Sequence, residues 1–397
     1  MFNKKSNIAV FSFAYLPFEG GAEVAVREIT KRIDNSDFTV FTYKFDKSWP
    51  SKESQENVEI IRLGKGRADG KKYGLIWHKI VYIFKAWQEA EKMYERRRFE
   101  AIWAIMASYG AIAALFFKLN HPRIPLLLTI QEGDSENHMI FGKLGFVGLW
   151  SKLAMRSADY IQVISKYLGD FVKRNKVTAP IEIIPNGVDL DLFDTNYKES
   201  ELISIRENLG IKDEYVVTTT SRLVKKNGVD TLIDAVAKFK NKRPNIKCLI
   251  IGGGPDHKKL SKKVKKLKLD NNVLFLGQIS HKDLPLYLKI SDLFVRASRS
   301  EGLGNSFLEA MAAGLPVIGT PVGGIVDFLK NEQTGLFIEV NNADDLAKKM
   351  LYAVNNPKIM KIIVKNSQNL VNENYNWDKI SKLFRNIFDK LINSSHT

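Results

Sequence analysis

At 397 residues, with 45% hydrophobic and 26% charged side chains, the chain has the composition of an ordinary globular protein and room for two or three domains. Its one cysteine, Cys248, excludes an internal disulfide framework and any multi-cysteine metal site. The net charge of +16 calls for an anionic partner, among which phosphorylated substrates, acidic lipid and nucleic acid are the candidates.

In chain order, short apolar runs alternate with helical patterns, as parallel α/β sheets require. Residues 7–13 read as a strand that ends at Gly20-Gly21, and 22–33 as a helix. Strands follow at 38–42, 58–63, 101–107, 126–130 and 160–165, with helices between. The rhythm restarts with a strand at 215–220, a helix at 228–240, a strand at 247–251 and a helix at 257–267. Strands at 273–276, 293–297, 317–320 and 336–339 complete the second half, and 378–392 is a last amphipathic helix. Cys248 lies inside the apolar run 247–251 and is expected to be a small buried hydrophobe. The expected fold class is therefore α/β, with two Rossmann-like domains facing a cleft. No signal-peptide pattern is seen, because the run 8–17 is short and ends at a proline. No stretch approaches the roughly 18 consecutive apolar residues needed to span a bilayer. A cytoplasmic protein is expected.

Much of the positive charge sits in two segments. Residues 257–268 hold seven lysines with Leu260, Val264 and Leu267 at helical spacing, so the lysines are expected on a solvated face. Residues 64–98 carry Lys65, Arg67, Lys71, Lys72, Lys79, Lys85 and Arg96-Arg97-Arg98, with Trp77, Tyr82, Phe84 and Trp87 interleaved with Lys79 and Lys85. Basic residues beside aromatic ones suit an anionic membrane surface, and they equally suit an amphipathic helix whose rings face the core.

The densest chemistry lies at 298–309. Glu301 sits in a turn-forming loop and Glu309 one turn into a short helix over 305–313, with Asn305 or Ser306 as its N-cap. The amides of Gly304, Asn305 and Ser306 form a positive pole suited to a phosphate. Two acceptors around an anion cradle fit a polyhydroxylated ligand carrying a diphosphate. An ordinary loop with one solvated and one dipole-favoured glutamate fits the spacing too. Arg222 follows the strand 215–220, at the mouth of the second sheet where α/β proteins bind ligands, and a guanidinium there can bridge two phosphate oxygens. Gly20 and Gly21 let backbone approach a ligand closely, while Glu23 reads as a first-turn, dipole-favoured carboxylate.

Residues 300–334 resemble the signature of the retaining glycosyltransferases of family 4. The elements are Glu301, Glu309, Ala310, Gly314, Pro316, Val317 and Gly323-Gly324. The likeness runs through Gly20-Gly21-Ala22-Glu23, Ile184-Pro185-Asn186-Gly187-Val188-Asp189, Ser221-Arg222-Leu223, Gly252-Gly253-Gly254-Pro255 and Asn376-Trp377. The resemblance implies a GT-B fold with an acceptor-binding domain at 1–187 and a nucleotide-sugar-binding domain at 188–375. It also implies that a helix at 376–397 returns to the first domain. The implied activity is transfer of a hexose from a nucleoside diphosphate sugar to an acceptor hydroxyl, with retention of configuration. The setting is cell-surface polysaccharide or glycolipid synthesis, with a lipid-linked or oligosaccharide acceptor and a peripheral position on the inner face of the membrane.

By the same resemblance, Glu301 would hold the sugar hydroxyls and Glu309 the ribose hydroxyls. Arg222 and the amides of Gly304, Asn305 and Ser306 would stabilise the departing diphosphate, over which the Gly20-Gly21 loop closes. No cofactor or metal is implied, on the grounds that no Asp-x-Asp sequence is recognised and that basic groups can neutralise the phosphates. Two departures stand out. The family's lysine before a glycine is Asn227 here, leaving Lys226 as its substitute. A family histidine after the strand 126–130 is replaced by Gln131, which can position but cannot shuttle a proton. Glu132 and Asp134 beside it could bind an acceptor hydroxyl or act as a base, and His138 reads as a surface residue. The rival readings are a dinucleotide oxidoreductase and a basic nucleic-acid-binding protein. Gly252-Gly253-Gly254-Pro255 lacks the G-x-G-x-x-G spacing, and no paired Cys/His finger is present.

Overall fold

A computed structural model describes residues 5–18, 20–66, 75–133 and 146–394. The chain divides into two compact units, one formed by 1–186 with 377–397 and the other by 187–376.

In the first unit the described residues form an eight-stranded sheet in the order β3-β4-β2-β1-β5-β6-β7-β8. Its strands are β1 (Ser6–Phe11), β2 (Ser36–Tyr43), β3 (Lys52–Gln55), β4 (Val58–Leu63), β5 (Ala101–Ile105), β6 (Leu126–Ile130), β7 (Tyr160–Val163) and β8 (Ile181–Ile183). All neighbours are parallel except β3 on β4. The central strands are apolar along both faces because helices cover both, so Ile8 to Phe11 and Ala101 to Ala104 are fully buried. Sequence periodicity missed β3, whose Lys-Glu-Ser-Gln carries no apolar signal. It exists because β4 offers it an open antiparallel edge.

The last helix, Trp377–Ser394, packs on the helix Gly21–Arg32 of this unit. Its Phe384 and Phe388 rings lie 5.4 Å from the buried Trp103 of β5. Arg32 joins the two helices, its guanidinium donating to the Glu28 carboxylate at 2.5 Å and to the Asp378 carboxylate at 2.7 Å.

In the second unit the described residues give a six-stranded parallel sheet in the order β11-β10-β9-β12-β13-β14. These are β9 (Tyr215–Thr220), β10 (Ile246–Ile251), β11 (Val273–Gly277), β12 (Leu293–Arg296), β13 (Val317–Gly319) and β14 (Leu336–Phe337). Cys248 is fully buried in β10, as expected, and burial pushes its thiol up to about 12. The helix His257–Lys266 buries Leu260 and Val264 and turns most of its lysines to solvent. Strand order reverses between β9 and β12. In such sheets ligands bind beyond the carboxyl ends of the strands at that reversal. The loop after β9 carries Arg222, and the loop after β12 carries Glu301. Topology alone brings these two segments together.

Candidate functional site

The loop after β12 is built around Arg296, a residue the sequence reading passed over. Its guanidinium forms an ion pair with Glu301 Oε1 and donates to Ser306 Oγ at 2.7 Å and Ser298 Oγ at 3.2 Å. It also reaches Asn227 Oδ1 and the Thr220 carbonyl, each at 3.3 Å. Ser298 Oγ donates to the same Glu301 Oε1 at 3.0 Å. Glu301 is thus not the solvated loop glutamate that one reading of its spacing allowed, since it is only 7% exposed. One carboxylate oxygen is held by protein, and Oε2 has no protein partner among the described residues. The signal that could have found Arg296 was its place as the last residue of an otherwise apolar strand run, where a charge needs a partner.

The helix that follows is Asn305–Ala312, and its N-cap is Gly304 rather than Asn305 or Ser306. Gly304 takes φ +95°, a left-handed conformation that disfavours any side chain. The N–H groups of Gly304, Asn305 and Ser306 donate to no protein acceptor among the described residues, so they stand ready for an anion. Gly323 packs on the backbone of Glu301, where an added Cβ would lie 1.8 Å from the Glu301 carbonyl oxygen. The Gly323-Gly324 turn therefore braces the glutamate loop from behind.

Arg222 is exposed, and its side chain has no hydrogen bond or ion pair among the described residues. Its loop is held by the Gly252-Gly253-Gly254-Pro255 turn. Leu223 N–H donates to the Gly253 carbonyl at 2.9 Å, and Asp256 N–H to the Leu223 carbonyl at 3.1 Å. Those glycines serve close packing against the Arg222 loop. Asn227 is 3% exposed and donates to the Arg222 carbonyl at 2.6 Å while accepting from Arg296. It is an internal brace, which a lysine could not be. Lys226 is half-buried, and its carbonyl accepts from Arg299 N–H at 2.7 Å. Arg299 is taken up by Asp230, with two contacts at 2.9 Å. Burial would raise the Asp230 carboxyl, but Arg299 outweighs it and holds the carboxyl below its ordinary range.

Glu309 lies one turn into the helix and meets His281 Nε2 at 3.2 Å. His281 in turn lies against Phe193, with ring centroids 5.2 Å apart. The sequence reading did not include His281. The expectation of metal-free chemistry rested in part on the absence of an Asp-x-Asp sequence, and that premise fails, because Asp189-Leu190-Asp191 has this spacing. Asp189 there caps the short helix Leu190–Phe193, accepting from Leu192 N–H at 3.1 Å.

In the first unit Gly20 is the N-cap of the helix Gly21–Arg32, and both glycines are exposed. The Glu23 carboxylate folds back toward Gly20, and burial holds its pKa above the ordinary value against bonds from its own and the Gly20 backbone. Gln131 follows β6 and accepts from the buried Asn186 at 3.0 Å. Glu132 is not a free loop acid. Its oxygens accept from Ala107 N–H at 2.6 Å and Gln131 N–H at 3.0 Å, and it is 8% exposed. It shapes the loop, and nothing supports a role as base. Asp134 and His138 lie outside the described residues, as do Arg67, Lys71 and Lys72.

Two α/β units, the second with polar loops gathered at its strand-order reversal, are the architecture of the GT-B glycosyltransferases. The chain belongs to glycosyltransferase family 4. The model of that family matches residues 19–192, and the model "Glycosyl transferases group 1" matches 203–370. An uncharacterized glycosyltransferase of Methanocaldococcus jannaschii is 24% identical over 98% of this chain and 100% of its own. The alpha-monoglucosyldiacylglycerol synthase of Acholeplasma laidlawii is 26% identical over 91% of each chain. Among solved structures, sucrose-phosphate synthase of Thermosynechococcus elongatus superposes with a TM-score of 0.83 at 21% identity, covering 98% of this chain and 100% of that one. Anabaena HepE, solved with UDP-glucose, gives 0.74 at 21% identity over 97% and 99%. The rival oxidoreductase and nucleic-acid readings gain nothing from these likenesses.

Proposed function

We propose that the protein transfers a hexose, with retention of configuration, from a nucleoside diphosphate sugar to the hydroxyl of a lipid-linked or oligosaccharide acceptor. The observation that carries this is Arg222, an exposed arginine at the strand-order reversal whose side chain has no protein partner among the described residues. Its neighbours Arg296 and Arg299 are both spent on carboxylates. A cation left open beside the unbonded amides of Gly304, Asn305 and Ser306 fits a diphosphate. The relative solved with UDP-glucose and the lipid-glycosylating relative support the same reading.

In this reading the bond between the sugar's anomeric carbon and the diphosphate breaks as the acceptor oxygen attacks from the same face. The acceptor's proton passes to the departing phosphate oxygen. Arg222, with Lys226, and the helix amides stabilise the charge that develops there, so no metal is required. Glu301 offers its open Oε2 to the sugar hydroxyls. Glu309, oriented by His281, takes the ribose hydroxyls. Gly20, Gly21 and Gln131 enter through the resemblance alone, as contacts to the donor's diphosphate and sugar, with Gln131 positional. The enzyme works as a peripheral protein on the inner face of the cell membrane, in polysaccharide or glycolipid synthesis.

The test is Arg222→Ala beside Lys226→Ala. Screening UDP-, GDP- and ADP-sugars by thermal protection identifies the donor, whose affinity is then measured. Arg222→Ala should weaken binding roughly 10- to 100-fold, the loss of a charge-assisted contact. Its melting temperature should stay unchanged. Equal donor binding in Arg222→Ala and the parent protein would sink the reading.

A further inference from the structure

In its first half the helix Leu75–Arg96 carries apolar residues on two opposite sides. Tyr82, Ile83, Ala86 and Ala90 are buried against the sheet of the first unit, and the Tyr82 hydroxyl donates to the Phe41 carbonyl at 3.0 Å. On the opposite side Trp77, Ile80, Val81 and Phe84, spaced as one helix face, are exposed, with Trp77 at 70%. A helix with apolar residues on both sides is normally covered on both. A second helix, Phe146–Ser157, also turns apolar side chains to solvent. There Leu149, at 61%, and Leu153 are exposed. Both helices pack on Tyr109–Asn120, whose Phe116 lies 6.0 Å from Phe84 and 5.5 Å from Trp150.

Charge selects the partner. Residues 75–88 and 146–157 contain no aspartate or glutamate, while Lys85, Lys152 and Arg156 are exposed beside the apolar side chains. A rim of one sign around exposed apolar side chains matches an anionic lipid surface, which offers hydrocarbon under a negative layer. Among the described residues no helix is long and apolar enough to cross a membrane, so the face would lie on the bilayer. Its position suits a lipid-borne acceptor. Ser151 Oγ donates to the Ala107 carbonyl in the loop after β5, and Lys79 sits over the ring of Tyr109 at 4.7 Å. Both helices thus adjoin loops at the carboxyl end of the first unit's sheet.

We infer that this two-helix face, Trp77, Ile80, Val81 and Phe84 with Leu149 and Leu153, docks the protein onto an anionic bilayer. The choice of partner rests on the peripheral reading above, and the surface itself does not depend on the sugar-transfer reading. Two residues expected on this face leave it. Lys79 turns inward onto Tyr109, and Trp87 packs 5.9 Å from Phe116 and donates to Glu91.

The test is co-sedimentation of the full chain with phosphatidylcholine vesicles, with and without phosphatidylglycerol, at two salt concentrations. Binding should need the anionic lipid and weaken with salt. Trp77→Ser with Phe84→Ser, and separately Leu149→Ser with Leu153→Ser, should each reduce binding roughly tenfold or more. Ile362→Ser, an equally exposed apolar residue on the second unit, should change nothing. All variants should keep the parent melting temperature and donor protection, so failure here is separable from failure of the transferase reading. Undiminished vesicle binding in both double variants would overturn the inference. So would lipid-free self-association of the parent protein that Trp77→Ser abolishes, since a second copy would then cover this face.

Discussion

Arg296 offers the sharpest perturbation, because one side chain holds the Glu301 loop, the first turn of the following helix and the buried Asn227. In the pair with Glu301, the two side chains are only 12% and 9% exposed. Arg296→Leu leaves a buried carboxylate with Ser298 as its one remaining donor. Removing a single partner of a buried pair costs about 3–5 kcal/mol. In a unit of this size each kcal/mol lowers the melting temperature by about 2–4 °C, so a fall of roughly 10 °C is expected. The double variant Arg296→Leu/Glu301→Leu should regain most of that loss, because neither charge is then left without a partner. Thermal unfolding of the four proteins, followed by circular dichroism, gives the coupling energy, which should be about 2 kcal/mol or more. High salt should change it little, since both side chains are largely buried and screening acts mainly on exposed pairs. A shift below about 2 °C for Arg296→Leu, or strictly additive single effects, would refute the account of Arg296 as the loop's anchor.

Asn227→Lys restores the lysine that the family resemblance led one to expect. The buried site and the neighbouring Arg296 guanidinium predict a loss of more than about 2 kcal/mol in urea unfolding, with no gain in donor affinity. A stable variant with tighter donor binding would show Asn227 to be a simple stand-in. Glu28 should make the first unit acid-sensitive. Burial pushes its carboxyl up, but the bonds from Arg32 and the charge of Arg27 outweigh that and hold it below 4.5. A folded value below the unfolded one means the contribution is complete at neutral pH and is lost as pH falls through the folded value. The gap in urea midpoint between the parent protein and Glu28→Gln should therefore close below pH 4.5, and a gap independent of pH would count against it.

What the sequence determined by itself is what local pattern and order encode. Both-face-apolar strands such as Ala101–Ile105 and Leu126–Ile130 were legible because a parallel core needs continuous hydrophobic runs. The family was legible because six motifs stand along the chain in the family's order. The edge strand β3 was not, since its residues respond to β4 rather than to their own propensity. Nor was the state of Glu301. Its partner Arg296 is five residues away along the chain, but it becomes a partner only when β12 ends and the loop doubles back over it. The same holds for His281 beside Glu309, for Glu132 capped by the Ala107 amide, and for Asn227 locked beneath Arg222. Residue type fixes which groups can ionise or donate. Only the folded chain decides which of them are already satisfied by protein and which, like Arg222, remain open to a ligand.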